Sequence, residues 1–571
     1  MLYIIDGIAP FFASHYCRNR KLNWSKIPFE YLENNGRLDA RICSRIVQDF
    51  KTYAHKASAY GYNAITLDDV AHLVVHEFYH QRLKDKIGDY QDLYRRLFKL
   101  AAQYRLQVFV TSDVMFFNPF IEKNTGDNQD RITTLLTNSL QLLFTEFSQV
   151  KGVIARFGET DGLDVNDSFH SKLVIRKPAQ CRKYVRSMLR ACRKFDRLLI
   201  VRTWTLGAYD IGDLMWNEKT YQAIFKGLPS RHLLISHKYG DTDFQRHLQL
   251  APLVFAGKHK KILELQARRE YEGFGEFPSF VGYDYEHLFW QLEHFDRLAG
   301  ISVWAQTGGW SHFNKLTFLQ NSSIWNEINA FVTVKIFRER VSADEALNQF
   351  AKLAFPGKPV NELRKLLKLS DLVIKELWYM PSFSHKQLYF RRIRVPTLIW
   401  VFWDTIIINH MVRKIMRRFV HDPRETIDQG YRALEKIEDM RLCAGELGIR
   451  DDSLEFMYDT CEILALAREY FLGTYSVSMQ HKIDAAVRKY RRKYRRGFNI
   501  EYDFSPVHIR KTISKFIFSI CLRNQPAYRM IDKYGLIKLT GWVYPLMKKW
   551  QMGNMPEFTR KQAMGIHIFF K

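Results

Sequence analysis

Eight short apolar runs, spread over the first 330 or so residues and separated by longer polar stretches, constrain the fold of this chain most. Each run holds four or five residues and gives way to a polar or charged residue within two positions. Runs that are apolar throughout and rich in Ile, Leu and Val are typical of parallel strands buried on both faces. The runs are Leu2–Ile5, Ala64–Leu67, Gln107–Val110, Gly152–Ala155, Leu198–Val201, Leu233–Ser236, Ile262–Gln266 and Ile301–Trp304.

The stretches between the runs have the pattern of helices that cover a sheet. They place apolar residues at three- and four-residue spacings with polar residues between them, as in Ala40–Tyr60, Tyr90–Tyr104, Arg131–Gln149 and Ala179–Phe195. A doubly wound open sheet shows the same alternation, but eight units over this length favour a closed (β/α)8 TIM barrel. In such a barrel the C-terminal ends of the strands carry the active site.

The remainder of the 571-residue chain has a different pattern. Apolar residues recur there at helical spacing with few strand signals, in Asn326–Phe337, Ala343–Leu353, Val360–Trp378, Ile427–Glu446 and Leu454–Tyr475. We therefore predict an α/β barrel over residues 1–325, a mainly α-helical C-terminal domain over 326–500 and a basic, aromatic-rich extension over 501–571. A chain of this length exceeds the usual size of a single-core domain.

Several classes of protein are disfavoured. The seven cysteines are scattered without a CxxC pair, which argues against a disulfide framework or a zinc site. No metal-ligand spacing, Gly-rich phosphate loop or GxSxG elbow is present, so we expect no metal and no cofactor. The N-terminus lacks a basic segment, and no run of about 18 uncharged apolar residues exists. These features predict a cytoplasmic protein, soluble or peripheral at the inner face of the membrane.

The net charge of +26 is concentrated near the C-terminus. From Gln480 onward there are 20 Lys or Arg residues against 5 Asp or Glu, and Arg488–Arg496 is the densest cluster. The segment is either a solvated basic face or a contact for an anionic membrane surface or an acidic glycan. No nucleic-acid-binding motif accompanies the charge, so we do not expect a nucleic-acid partner. Homodimerisation stays open.

Carboxylates and tryptophans follow several of the predicted strands. Glu159 comes after the fourth run, and Glu264 and Glu270 lie in and after the seventh. Glycoside hydrolysis needs a carboxylic acid, an opposing carboxylate and flat apolar faces for the sugar ring. The other residues with this chemistry near a strand end are Asp68, Asp69, Arg202, Trp204, Lys238, Asp241, Asp243, Trp304 and Trp310.

Two of these stretches carry a specific resemblance. Lys238-Tyr-Gly-Asp-Thr-Asp-Phe-Gln and Glu264-Leu-Gln-Ala-Arg-Arg-Glu-Tyr-Glu-Gly273 resemble the catalytic region of glycoside hydrolase family 67, the α-glucuronidases. Weaker similarity covers Gly61–Val70, Ala299–Ser302 and Trp325–Phe355. The resemblance implies an inverting α-glycosidase.

The resemblance also implies a role for individual residues. It makes Glu159 the general acid, Asp243 the carboxylate that activates water and Glu270 a carboxylate that assists Asp243. It further implies that Lys238 contacts a substrate uronate and that Arg202 matches an arginine at the end of strand five. An inverting pair must leave room for a water, with about 6.5–9.5 Å between the carboxyl groups.

The chain also departs from the family pattern. The family's β-rich domain before the barrel is absent from this sequence, the eighth-strand loop lacks the family's acidic residues, and Asp161 competes with Glu159 as the acid. Several residues have a structural alternative. Asp68 and Asp69 either cap the next helix or bind hydroxyls. Trp304 and Trp310 either pack in the core or support a sugar, and Lys238 either contacts the uronate or only neutralises nearby carboxylates.

The predicted function is that of an inverting α-glycosidase acting on an acidic, uronic-acid-containing or bacterial surface polysaccharide. The first alternative is a barrel without catalytic activity that binds glycan or acts as a scaffold in a polysaccharide biosynthesis complex. The second is a transferase or phosphorylase that uses the same carboxylates.

Overall fold

The computed structural model describes a barrel and the region that follows it. The described residues are 1–7, 29, 32–113, 116–158, 168–205, 207–229, 231–306, 313, 315–319, 322–506 and 522–523. Glu159, Asp161, Trp310 and most of the segment 501–571 lie outside the described residues, so their predicted roles have no structural counterpart here.

Eight parallel strands form a closed barrel, as the apolar runs predicted. Each neighbour pair is consecutive along the chain, and the eighth strand closes against the first through Leu2 and Gly300. The strands are β1 (Leu2–Asp6), β2 (Ala64–Asp68), β3 (Gln107–Asp113), β4 (Val150–Gly158), β5 (Leu198–Thr205), β6 (Leu233–Lys238), β7 (Lys260–Gln266) and β8 (Leu298–Trp304).

Most strands extend past the apolar run that predicted them. The runs end where polar side chains begin to line the upper barrel, and these residues keep strand geometry because they pair with one another across the sheet. Lys238 is in register with Glu264, and Ser236 is in register with Arg202. Below them the barrel interior is filled by an apolar layer of Ile4, Ala64, Phe109, Ile154, Ile200, Leu234 and Ile262. A closed apolar floor thus supports a polar mouth.

Helices cover the outside of the barrel. They include the four predicted segments with ends shifted by a few residues, and the second begins nine residues earlier than expected. The first of these helices is capped by Asp39, whose carboxylate accepts the amide hydrogens of Arg41 and Ile42. The barrel helices are α1 (Ala40–Tyr60), α2 (Gln81–Gln103), α3 (Pro119–Thr125), α4 (Gln129–Glu146), α5 (Pro178–Lys194), α6 (Glu218–Phe225) and α7 (Gly282–Leu292).

The region after the barrel is mainly helical, as predicted. A π-helical turn, Ile374–Trp378, directly follows the helix Val360–Val373. No helix in the described part of the chain is long and apolar enough to cross a bilayer. The helices are α8 (Ile324–Glu339), α9 (Ala343–Ala354), α10 (Val360–Val373), α11 (Pro381–Ser384), α12 (His410–Phe419), α13 (Pro423–Leu447), α14 (Ser453–Leu472) and α15 (Val477–Lys493).

Short strands interrupt this helical region. The hairpin β9 (Tyr389–Phe390) and β10 (Ile393–Arg394) pairs with β14 (Leu522–Arg523). A second small sheet contains β11 (Val401–Phe402), β12 (Thr405–Asn409) and β13 (Asn499–Asp503). The strand β13 spans residue 500, where the sequence predicts a boundary. Strand signals are few in this part of the sequence because most of these strands are only two residues long.

The hairpin β9–β10 crosses the barrel mouth above β5 and β6. Its Ile393 side chain packs against Gly207, where a Cβ atom would lie 2.2 Å from Ile393 and where φ is +74°. The indole of Trp216 donates a hydrogen bond to the Arg392 carbonyl at 2.6 Å. Arg394 forms an ion pair with Asp241 at 2.6 Å. The helical region therefore supplies one wall of the mouth.

Candidate active site

A cluster of buried charges lies at the C-terminal ends of β6 and β7. Lys238 is the last residue of β6, and its Nζ lies 2.6 Å from Oδ1 of Asp243 in the loop that follows. The same ammonium lies 3.6 Å from the centroid of the Trp204 ring, at the end of β5. An ammonium over an aromatic face is stabilised by the ring quadrupole. Lys238 is thus fixed between an anion and an aromatic face.

Asp243 is held as an ionised carboxylate. Its Oδ1 also accepts the Phe244 amide hydrogen at 3.0 Å, and its Oδ2 accepts the Tyr271 hydroxyl at 2.7 Å. Burial alone would raise the pKa of Asp243, but the attraction of Lys238 and these hydrogen bonds outweigh it and hold the pKa below its ordinary value. The result is an anion with a fixed orientation at the barrel mouth.

Glu270 has the opposite electrostatic environment. It lies four residues beyond the end of β7 and is 3% exposed. Burial and, second, repulsion from Asp243 raise the pKa of Glu270 to about 8, although Lys238 and the Gln266 side chain oppose this. At neutral pH Glu270 carries a proton and Asp243 carries a charge. Two neighbouring carboxyl groups with separated pKa values are typical of acid–base sites.

Glu264 pairs with Arg202 in the layer below Asp243. Arg202 Nε and Nη2 donate to the two oxygens of Glu264 at 2.9–3.1 Å, and Ser236 Oγ donates at 2.8 Å. Burial opposes its ionisation, but Arg202 lowers the pKa of Glu264. The Trp304 ring lies 4.7 Å from the Arg202 guanidinium, and its indole donates to Glu264 at 3.3 Å. Trp304 and Arg202 are thus parts of a packed layer beneath the mouth.

The other predicted binding residues are engaged within the protein. Asp68 accepts a hydrogen bond from the Thr111 hydroxyl. Asp69 accepts the His72 amide hydrogen at 3.1 Å and contacts His72 Nδ1 at 2.8 Å, so it caps a turn. Asp241 contacts Arg394 and accepts the Tyr389 hydroxyl at 2.6 Å. Through these two contacts the Asp241 carboxylate holds the hairpin β9–β10 against the loop after β6.

A buried ionic network fixes the loop that presents Glu270. Glu272, two residues further on, accepts hydrogen bonds from Arg269 at 2.8 Å and from Arg246 at 3.3 Å. Arg246 also reaches Asp284 and Asp371 at 2.7 and 2.8 Å. Burial opposes the charge on Glu272, but the two arginines lower its pKa. Buried pairs of this kind define a unique loop conformation and keep the neighbouring Glu270 in place.

Two functional residues were missed by the sequence analysis. Tyr271, which donates a hydrogen bond to Asp243, lies within the Glu-Tyr-Glu stretch after β7, so the motif itself contains a signal for this residue. Trp403 comes from the helical region, and its ring centroid lies 6.5 Å from that of Tyr271. No local pattern marks Trp403, because its position near the mouth depends on packing between segments more than 130 residues apart.

No group of three or more His, Cys, Asp or Glu side chains suited to a metal ion occurs among the described residues. The arrangement at the mouth supports acid–base chemistry by carboxyl groups, with a cation and aromatic faces beside them.

No protein-family model and no curated protein matches the chain. Among solved structures, the fold resembles a glycoside hydrolase family 138 enzyme targeting pectin rhamnogalacturonan II, with a TM-score of 0.50 and 11% identity. That match covers 87% of this chain and 63% of the enzyme, so the chain spans less than two thirds of its length.

Two further structures are similar at lower scores. CpGH84B has a TM-score of 0.39 and 10% identity, over 78% of this chain and 71% of that protein. A β-mannanase from the blue mussel Mytilus edulis has a TM-score of 0.34 and 11% identity, over 60% of this chain and 94% of that protein. At these identities the likeness shows the fold alone.

Proposed function

We propose that this protein is a glycoside hydrolase whose active site is the mouth of the barrel at β6 and β7. The observation that carries the proposal is the buried pair of Asp243 and Glu270, one ionised and one protonated at neutral pH. The position of the pair at the C-terminal ends of barrel strands supports it, because active sites of this fold lie there. The similarity in fold to a family 138 enzyme is consistent with it.

In the proposed mechanism Asp243 is the general base. Its low pKa keeps it ionised, so it can take a proton from a water molecule that attacks the anomeric carbon. Tyr271 and Lys238 hold the carboxylate in one orientation, and Glu270, which is protonated at neutral pH, assists Asp243. The resemblance to family 67 assigns the general acid to Glu159, after β4. Attack by water opposite the departing oxygen gives inversion.

We further propose an acidic substrate, with a uronic acid at or beside the cleaved bond. The resemblance assigns the contact with the uronate to Lys238. The ammonium supports this assignment because it is already buried at the mouth, so the ammonium itself would lose little further hydration energy when it binds an anion. Trp204, against the same ammonium, offers a flat face for the sugar ring.

The test is hydrolysis of a panel of aryl α-glycosides that includes uronides and their neutral counterparts, with the anomer formed first identified by NMR. We expect release of the inverted anomer from uronides and a loss of kcat of at least about 100-fold in Asp243→Asn. Asp92→Asn, an exposed carboxylate on α2, is the matched control. Turnover that Asp243→Asn leaves unchanged contradicts the proposed site, and a product of retained configuration contradicts the role of Asp243 as base.

A further inference from the structure

The helix α5 presents an unusual concentration of positive charge. Between residues 177 and 194 it has seven Lys or Arg residues and no Asp or Glu. Its buried face is apolar, so the cations lie on the face turned to solvent. The seven residues are Lys177, Arg182, Lys183, Arg186, Arg190, Arg193 and Lys194.

Three of these arginines form an exposed row. Arg186, Arg190 and Arg193 are spaced four and three residues apart, so they lie on one face over about 10 Å of helix. Within the described part of the chain, no carboxylate lies in ion-pair distance of any of the three. By contrast, Lys183 is paired with Asp130, and Arg182 donates to the carbonyls of Ile224 and Lys226. The row therefore carries uncompensated positive charge.

The row separates two surface grooves. One, of about 630 Å³, is lined by Arg182, Arg186, Arg190 and Arg193 together with the loop Gly227–Pro229. The other, of about 550 Å³, lies between α5 and α4 and is lined by Lys183, Arg190 and Lys194 and by hydroxyl and amide groups of Thr133, Thr134, Thr137, Asn138 and Gln141. One carboxylate, that of Asp130, also lines this groove, and it is paired with Lys183. Both grooves thus offer cations, and the second adds hydrogen-bonding groups.

We propose that α5 and its two grooves are a binding surface for an acidic polysaccharide chain, separate from the barrel mouth. The choice of a glycan rests on the proposed function. Carboxylates spaced along such a chain match the row of arginines, and its hydroxyls match the threonine and amide groups of the second groove. Because α5 follows β4, its first turn lies at the same end of the barrel as Asp243 and Glu270. The arginine row occupies the second half of the helix, so it lies toward the opposite end of the barrel, apart from the mouth.

The residues that line the two grooves favour binding of a glycan over binding of a lipid bilayer. Neither groove is lined by an aromatic side chain, whereas helices that insert at a lipid interface present Trp, Phe and Leu. The large apolar side chains of this surface are turned inward, and Leu189 and Leu228 are 6% and 7% exposed.

The experiment measures binding of the full-length chain to immobilised polygalacturonate, with dextran as the neutral polymer. The Asp243→Asn background prevents turnover. Arg186→Ala, Arg190→Ala and Arg193→Ala are combined in one variant, which we expect to bind polygalacturonate about tenfold more weakly. The control combines Arg41→Ala, Arg45→Ala and Lys51→Ala on α1, which removes the same charge from another exposed helix face and should change the affinity less than about twofold.

Each outcome decides the proposal. The proposal is supported if the α5 variant binds polygalacturonate more weakly than the α1 variant does and dextran is not bound. Equal affinity of the α5 and α1 variants, no binding of polygalacturonate, or an α5-dependent preference for phosphatidylserine vesicles or a DNA duplex overturns it. Thermal unfolding of each variant shows that the helix remains folded. Failure of the proposed function is seen separately, as absence of hydrolysis of aryl glycosides by the parent chain.

Discussion

At the scale of single residues, the candidate site depends on one lysine placed between two carboxyl groups. Lys238 lies 2.6 Å from Asp243 and also attracts Glu270. Because attraction falls with distance, the ammonium favours ionisation of the nearer carboxyl group most. Asp243 therefore ionises first, and its charge then raises the pKa of Glu270. Burial strengthens both effects because little water screens them.

Replacing this lysine should move the acid limb of the pH–rate profile. Without the ammonium in Lys238→Met, the pKa of Asp243 rises, so the base becomes protonated at a higher pH than in the parent. We expect the acid limb of kcat/KM to move upward by about one pH unit or more, because an adjacent cation depresses an Asp pKa by that amount. Lys219→Met, an exposed lysine of α6, should leave the limb in place. An unmoved limb in Lys238→Met would show that Asp243 is not the base.

A second buried lysine affects stability. Lys261 on β7 is 0% exposed, contacts the Tyr221 hydroxyl at 2.5 Å, and has no carboxylate in ion-pair distance among the described residues. Burial, with repulsion from Arg297, lowers the pKa of Lys261 to about 7. The unfolded chain protonates this lysine below about pH 10.4. The folded chain takes up the same proton only near pH 7, so this residue lowers the free energy of unfolding as the pH falls between those values.

Lys261→Met removes that dependence. We expect the variant to be more stable than the parent at pH 7, by on the order of 3 kcal/mol, with the difference shrinking to near zero by about pH 10. Urea denaturation across this pH range measures it. A difference that stays constant with pH would mean that Lys261 is protonated in the folded protein.

At the scale of elements, the hairpin β9–β10 joins the helical region to the barrel mouth. Arg394 is 2% exposed and forms an ion pair with Asp241, which also accepts the Tyr389 hydroxyl. The hairpin thus provides both the cation that neutralises Asp241 and the hydroxyl group that donates a hydrogen bond to it. Its turn residue Arg391 has φ at +51°, so the backbone there is held in a conformation that side chains other than glycine seldom adopt.

Breaking this ion pair should loosen the hairpin. Arg394→Met leaves Asp241 without its cation and is expected to cost about 3 kcal/mol of the free energy of unfolding. Asp241→Asn removes the charge that Arg394 neutralises. The double variant should lose clearly less than the sum of the two single losses, and urea denaturation of all four proteins tests this. Additive losses would show that the two side chains do not stabilise each other.

The fold was largely predictable because barrel strands are apolar on both faces. All eight strands were found from short runs such as Ala64–Leu67, and their ends pointed to β6 and β7. What lay beyond prediction depends on contacts between distant segments. The pairing of Asp241 with Arg394 joins residues 153 positions apart, and the approach of Trp403 to Tyr271 joins residues from different regions. Neither leaves a periodic signal in the sequence.

At the scale of the whole molecule, the barrel and the helical region together form the candidate site. The barrel supplies Asp243, Glu270 and Lys238, while the helical region contributes the hairpin and Trp403 beside Tyr271. The Trp378 indole also donates to the Tyr271 carbonyl at 2.7 Å. The helical region therefore positions Tyr271, which orients Asp243, and the identity of Glu159 as the acid stays a prediction from sequence.

The protonation state of Glu270 at neutral pH tests the central claim most directly. Infrared difference spectroscopy between the full-length chain and Glu270→Gln, recorded from about pH 5 to about pH 10, isolates the carboxyl band of this residue. A protonated band that is present at pH 7, absent from Glu270→Gln and lost with a midpoint at about 8 is the predicted result. A Glu270 carboxyl group that is already ionised by about pH 5, as an ordinary glutamate is, would contradict the pairing of an ionised Asp243 with a protonated Glu270 at the barrel mouth.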